Sequence, residues 1–188
     1  GNVMKYIGNT DSNSYLSFLE GAYIFLDNYH EYNLMEHIVF ETEKLLSDKT
    51  LGTVNDRALL LNNKAMLPMN RNDKLSKSIS MMNKALSVCD EKLNPVLFAN
   101  INMNLGLLYT ENKETERGLE FMDKAYLFIK LTRTYNDDFI TIARNYAVTP
   151  SENSRVTKAI EVLKECEFAT EECCSNNHAA LLYDLGAA

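Results

Sequence analysis

A pattern of apolar and small residues recurs along this chain at intervals of roughly 40 residues, and a chain so built is restricted to stacked copies of one local unit. The fullest copy is Ala99–Lys130, ANINMNLGLLYTENKETERGLEFMDKAYLFIK. Ile101, Leu105, Leu108 and Tyr109 fall at i, i+4, i+7 and i+8 and make one helical stripe. The polar run Thr110–Glu116 reads as a turn and the start of a second helix, on which Leu119, Met122, Ala125, Tyr126 and Ile129 form another stripe. Two short amphipathic helices joined this closely pack antiparallel, each covering the other's stripe. Gly106 lies in mid-helix, where glycine costs about 1 kcal/mol relative to alanine, so a packing reason is expected. Gly118 and Ala125 share one face of the second helix and would let two backbones approach.

The same spacing maps Asn102, Leu105, Tyr109, Gly118, Met122 and Ala125 back onto Asn62, Ala65, Met69, Ser78, Met82 and Ala85, so that Met82–Leu86 (MNKAL) repeats Met122–Tyr126 (MDKAY). Forward, it reaches Ala143, Tyr146, Ala147, Ala159, Leu163 and Cys166, and then Leu185 and Gly186. A weaker first copy lies near Leu19–Leu26 and Met35–Thr42. Asn102, Leu105, Gly106, Tyr109, Gly118, Met122 and Ala125 carry the spacing of the tetratricopeptide repeat (TPR) signature, with Asn102 where that family usually has Trp or another large residue. The chain therefore resembles the TPR family, with a period longer than the family's value of about 34 residues. The resemblance implies an all-α fold, a right-handed α-α superhelix: a TPR-like solenoid of antiparallel helix pairs with about nine helices.

In chain order, 1–13 reads as a flexible, Asn-rich start and 14–188 as the repeat domain, with approximate repeats 16–52, 55–93, 95–133 and 136–172 and a final helix over 177–187. Thr53 or Asn55 is placed to cap the third helix, which Pro68 ends. Asn94-Pro95 opens the fullest copy, with Pro95 suited to the first helical turn. Asp137 is the expected cap of the next helix, and Thr149-Pro150 its end. One local signal disagrees. Asn100–Leu105 alternates polar and apolar residues as a strand would, and the helical recurrence across copies overrides it.

The formal charge is −7, from 19 basic and 26 acidic residues, which argues against a nucleic-acid surface. No apolar run approaches the length of about 18 residues that a membrane helix needs, so no membrane span is expected. Seven glycines and three prolines beside 46% hydrophobic residues suit a packed helical protein. Gly1 stands where an initiator Met would, and the last copy stops after its first helix, so the chain reads as a segment of a longer protein. A cytoplasmic location is favoured, with the cell envelope open if a signal peptide has been removed. Cys89, Cys166, Cys173 and Cys174 follow no disulfide-framework spacing, and Cys89 and Cys166 sit on apolar stripes as expected small core residues.

In the TPR family the second, fifth, sixth and ninth positions of each first helix face a concave groove. The resemblance places Leu60, Asn100, Thr141 and Ala180 in the first of these rows. It places Asn63, Met103, Arg144 and Leu181 in the next, and Lys64, Asn104, Asn145 and Asp184 in the third. The expected peptide-binding face is therefore Asn63, Lys64, Asn100, Met103, Asn104, Leu107, Arg144 and Asn145. An amide offers donors and an acceptor to an extended main chain, and Leu60, Met103 and Leu107 offer apolar contact. Two other readings stay open. Asn is frequent throughout the chain, so some amides land on any face, and a partner could instead use the convex side. The carboxylate clamp of chaperone-binding relatives is disfavoured, because the first row holds no Lys and the third no Arg. Asn placement is similar to that of the helical-repeat peptide-pheromone receptors of Gram-positive bacteria, whose DNA-binding helix-turn-helix is either lacking here or cut away.

Other constellations carry less. Cys166, Cys173, Cys174 and His178 have no usual metal-site spacing, and His30 and His37 near Glu36 lack the H-E-x-x-H pattern. No Gly-rich phosphate loop is present. The expectation is a non-enzymatic scaffold that takes a protein or peptide segment, without cofactor, metal or nucleic acid, as a sensing or interaction module of a larger bacterial regulator. The alternative is an assembly module that self-associates as a homodimer through an exposed helical face left by the incomplete last copy.

Overall fold

The computed structural model describes residues 12–67, 75–133 and 136–148, together with 161–162 and 164–165. Among them every regular element is an α-helix: α1 (Ser12–Asn28), α2 (Tyr32–Leu46), α3 (Val54–Met66), α4 (Leu75–Val88), α5 (Pro95–Glu111), α6 (Thr115–Leu131) and α7 (Asp137–Val148). The chain is all-α, built from consecutive helix pairs, with seven helices among the described residues where the periodicity predicts nine. Of the expected eighth helix, Glu161, Val162, Lys164 and Glu165 are described and helical; the ninth lies outside the described residues. The chain divides into two compact units, Gly1–Val88 and Cys89–Ala188.

In the first unit α1 buries Leu16, Leu19 and Tyr23, an i, i+3, i+7 stripe, and α2 answers with Met35 and Val39. Tyr23, Met35 and Val39 form one core cluster, with Ile38, Leu60 and Leu67 packed on it. The connection to α3 is held by Arg57. Its guanidinium donates to the Leu46 carbonyl at 2.8 Å, an acceptor that the end of α2 leaves open, and to the loop carbonyl of Leu51 at 2.9 Å. Thr53 caps α3 in a full capping box with Asp56, as its hydroxyl and the acid three residues on allow. In α3 and α4, Ala58, Ala65, Ser78, Met82 and Ala85 are all fully buried or nearly so.

The second unit is centred on α5. Asn94 caps it, accepting from the Leu97 N–H at 3.0 Å, and Pro95 occupies the first turn, where its missing N–H costs nothing. Ala99, every residue from Ile101 to Gly106, Leu108 and Tyr109 are buried. The helix is buried on nearly all sides, so it takes asparagines as well as apolar residues inward, and Asn100, Asn102 and Asn104 alternating with apolar neighbours are what mimic a strand. The polar run assigned to the turn is partly helical, since α5 continues through Thr110 to Glu111. On α6 the buried side is Gly118, Leu119, Met122, Ala125 and Ile129.

Gly106 and Gly118 meet where the two helices are closest. A Cβ on Gly106 would come within 2.7 Å of Met122 Cγ and 3.0 Å of the Gly118 carbonyl oxygen. A Cβ on Gly118 would strike the Thr110 hydroxyl and lie 2.8 Å from the Gly106 carbonyl oxygen. The packing reason expected for Gly106 is thus a backbone-to-backbone contact.

Phe139, Ile140, Ile142, Ala143 and Tyr146 of α7 join the core with Met122, Ile129 and Val162. The cap of α7 differs from expectation. Asn136, one residue earlier than Asp137, accepts from the Phe139 N–H at 3.1 Å, and Asp137 is instead the first helical residue, where its charge favours the helix N-terminus. Cys89 also departs from expectation, because α4 ends at Val88 and leaves Cys89 half-buried outside the helix.

Candidate functional site

The residues expected on the binding face fall on α3, α5 and α7, the first helices of successive pairs. In the first unit Asn63 and Leu60 line a narrow cleft with Leu16, Leu19, Glu20 and Tyr23. Its free volume is about 20 Å³, enough for one water. The Tyr23 hydroxyl donates to the Asn63 carbonyl at 3.2 Å, and Asn62 donates to the Asn63 side-chain oxygen at 3.1 Å. Burial, then the Asp27 carboxylate, pushes the Tyr23 phenol well above its usual pKa, so it stays a donor. Lys64 pairs with Glu43 of α2 at 2.6 Å. Next to the cleft is a wider hollow of about 410 Å³ lined by Ser17, Glu20, Thr50, Thr53 and Asp56. Burial, then repulsion from Asp56, raises the pKa of Glu20 above the usual carboxylate range.

In the second unit six of the eight expected residues come together on α5 and α7. The Asn100 amide donates to Asp138 at 3.1 Å, and the Asn145 amide to the Met103 sulfur at 3.2 Å. These two contacts tie α5 to α7. Met103 and Asn104 are each 8% exposed, and Met103 belongs to the core cluster. Leu107 packs against that cluster from its edge, and Asn100, Arg144 and Asn145 are half-buried. The face is therefore a packed polar strip whose amides already bond within the unit.

Sequence reasoning missed Asp138, the partner of Asn100, and the Glu20–Asp56 pair. Asp138 is hidden among the acids of a helix start, and Glu20 is a lone charge in an apolar run whose neighbour in space lies on another helix. Asn102, standing where the TPR signature usually has a large residue, is fully buried. Its amide donates to the Phe98 carbonyl at 2.8 Å, while its oxygen has no partner among the described residues. Among the described residues no group of three His, Cys, Asp or Glu side chains could hold a metal, and no helix is long and apolar enough to cross a membrane. The Cys166, Cys173, Cys174 and His178 set lies outside the described residues. Burial, then Asp90 and Glu91, pushes the Cys89 thiol up to about 11, so it is not a thiolate at neutral pH.

A buried helix-pair core with small residues at the closest approach, repeated along the chain, makes a TPR-like helical-repeat fold. The chain is similar to a solved structure of a kinesin light chain with nearly identical TPR-like repeats from Podosopora anserina. The TM-score is 0.62 at 13% identity, covering 90% of this chain and 84% of that one. A substituted form of the same protein superposes with a TM-score of 0.64 at 14% identity over the same shares. No family model and no curated protein matches the sequence.

Proposed function

We propose that this chain is a non-enzymatic scaffold that binds a peptide or protein segment along the partly buried polar strip of its first helices, as a sensing or interaction module of a larger regulatory protein. The observation that carries the reading is the strip of Asn100, Asn104, Arg144 and Asn145 on α5 and α7. Its amides supply donors and acceptors that suit an extended main chain of any sequence. The bond from Asn145 to Met103 goes to a thioether, a weak acceptor, which a peptide carbonyl would outcompete. The TPR-like fold supports the reading as a scaffold fold.

The test selects binders from a phage-displayed random peptide library on the immobilised chain and measures their affinity for variants. Asn104→Ala and Asn145→Ala, with helical circular dichroism intact, are expected to weaken binding about tenfold each, the worth of one or two lost hydrogen bonds. Unchanged affinity in both would remove the strip from the binding face.

A further inference from the structure

Helix α1 has two apolar faces, and only one is covered. Leu16, Leu19 and Tyr23 are buried. Phe18, Phe25 and Tyr29 fall within roughly 20° of a single line along the helix at about 100° per residue, and they remain 54%, 60% and 65% exposed. Their rings are not scattered. Phe18 stacks with Tyr15 at a centroid distance of 6.3 Å, and Phe25 packs on Tyr29 at 4.8 Å. Two aromatic pairs on one exposed face mark a contact surface, whereas single exposed apolar residues do not.

Two of the three rings in this row are placed symmetrically. Phe18 and Phe25 lie equally far on either side of the Gly21–Ala22 peptide, about 5 Å along the axis in each direction. The two smallest side chains thus mark its centre, and a Cβ on Gly21 would meet nothing within 4 Å, so another helix has room to approach. The only charged residues of α1, Glu20 and Asp27, lie on the opposite side of the helix, about 180° from the row.

We propose that this row joins two copies of the chain, α1 packing antiparallel on α1 of the second copy across a two-fold axis at Gly21–Ala22. Each Phe18 then lies beside Phe25 of the other copy, as an isologous contact requires. A chain of net charge −7 repels its own copies. The row is the part of α1 on which they can meet without opposing carboxylates. Three aromatic rings a little over half exposed, with Gly21, Ala22 and their flanks, offer about 500 Å² per copy, which brings the pair to the lower bound of about 1,000 Å² for a specific interface. That size fits a micromolar or weaker dimer that tightens as salt screens the repulsion.

Sedimentation equilibrium of the 188-residue chain tests this. The weight-average mass is expected to approach twice the monomer mass between about 1 μM and about 500 μM, with tighter association at higher salt. Phe18→Glu with Phe25→Glu should weaken association at least about 30-fold, as loss of central aromatic anchors does. Phe40→Glu, on an equally exposed ring of α2, should leave it unchanged. A monomer at every concentration, or a dimer indifferent to the paired substitution, overturns the proposal. So does a dimer equally sensitive to Phe40→Glu, or one that loosens as salt rises. If circular dichroism shows the double variant unfolded, Ala22→Cys decides. Faster disulfide-linked dimerisation than the unsubstituted chain or Ser17→Cys upholds the two-fold at Gly21–Ala22, and equal rates refute it.

Discussion

Gly106 shows how much one hydrogen atom in place of a methyl can decide. Alanine there would gain about 1 kcal/mol of helix propensity. It would also drive a carbon to 2.7 Å from Met122 and 3.0 Å from a backbone oxygen that cannot move alone. Overpacking of this kind costs about 1–3 kcal/mol, so Gly106→Ala is expected to lower the urea midpoint. A higher midpoint would mean that Met122 retracts freely. Glu20 makes a different residue-scale case. Its folded-state pKa is raised, by burial first and Asp56 second. A raised carboxyl favours the folded state below its unfolded pKa, and that contribution is lost as pH rises through the folded value. Glu20→Gln should therefore raise the urea midpoint at neutral pH. The gain should vanish well below the ordinary glutamate pKa of about 4.3. A gain of equal size at both pH values would assign the effect to packing.

Helix ends are the next scale, and three of them share a device. His30, Lys113 and Arg133 have φ of 57°, 67° and 53°, in the left-handed region where glycine is usual. After α5 the Lys113 N–H bonds the Thr110 carbonyl at 3.0 Å and the Glu114 N–H bonds the Tyr109 carbonyl at 2.9 Å, closing the last turn. Lys113 and Arg133 are cations, and a cation near a helix C-terminus offsets part of the backbone strain. Lys113→Gly removes the Cβ strain of about 1–2 kcal/mol and gives back a smaller charge term and some unfolded-state entropy. A net gain of about 0.5–1 kcal/mol is expected in thermal unfolding. No gain, or a loss, would show that the Lys113 charge outweighs its strain. These ends had no glycine to announce them. Asn94-Pro95 did announce its helix start, and Thr53 was one of two candidates with Asn55, because capping needs one side chain at one place. Asn136 and Asp137 are both good caps, and only the backbone decides between them.

At the scale of the whole molecule, two cores lie in two units: the cluster around Tyr23, Met35 and Val39, and the cluster around Met122, Ile129 and Ile140. Because repeat proteins are stabilised chiefly between neighbours, damage to one core is expected to stay local. Hydrogen exchange should find the slowest amides of the second unit at Ile101–Gly106, where every residue is buried. Gly106→Ala should speed exchange in α5 and α6 and leave α1 and α2 unchanged; equal acceleration everywhere would mean that the chain unfolds as one body. The helical class and the pairing of helices were determined by the sequence alone, because a 3.6-residue stripe and a small residue at a fixed spacing have one economical packing. The tertiary structure decided what periodicity does not encode. It set which polar residues face one another, as Asn100 and Asp138 do, and it placed Cys89 beyond the end of its helix. It also left the row of Phe18, Phe25 and Tyr29 in water, since one stripe of α1 suffices for α2 and α3 and burial depends on which elements come next to which.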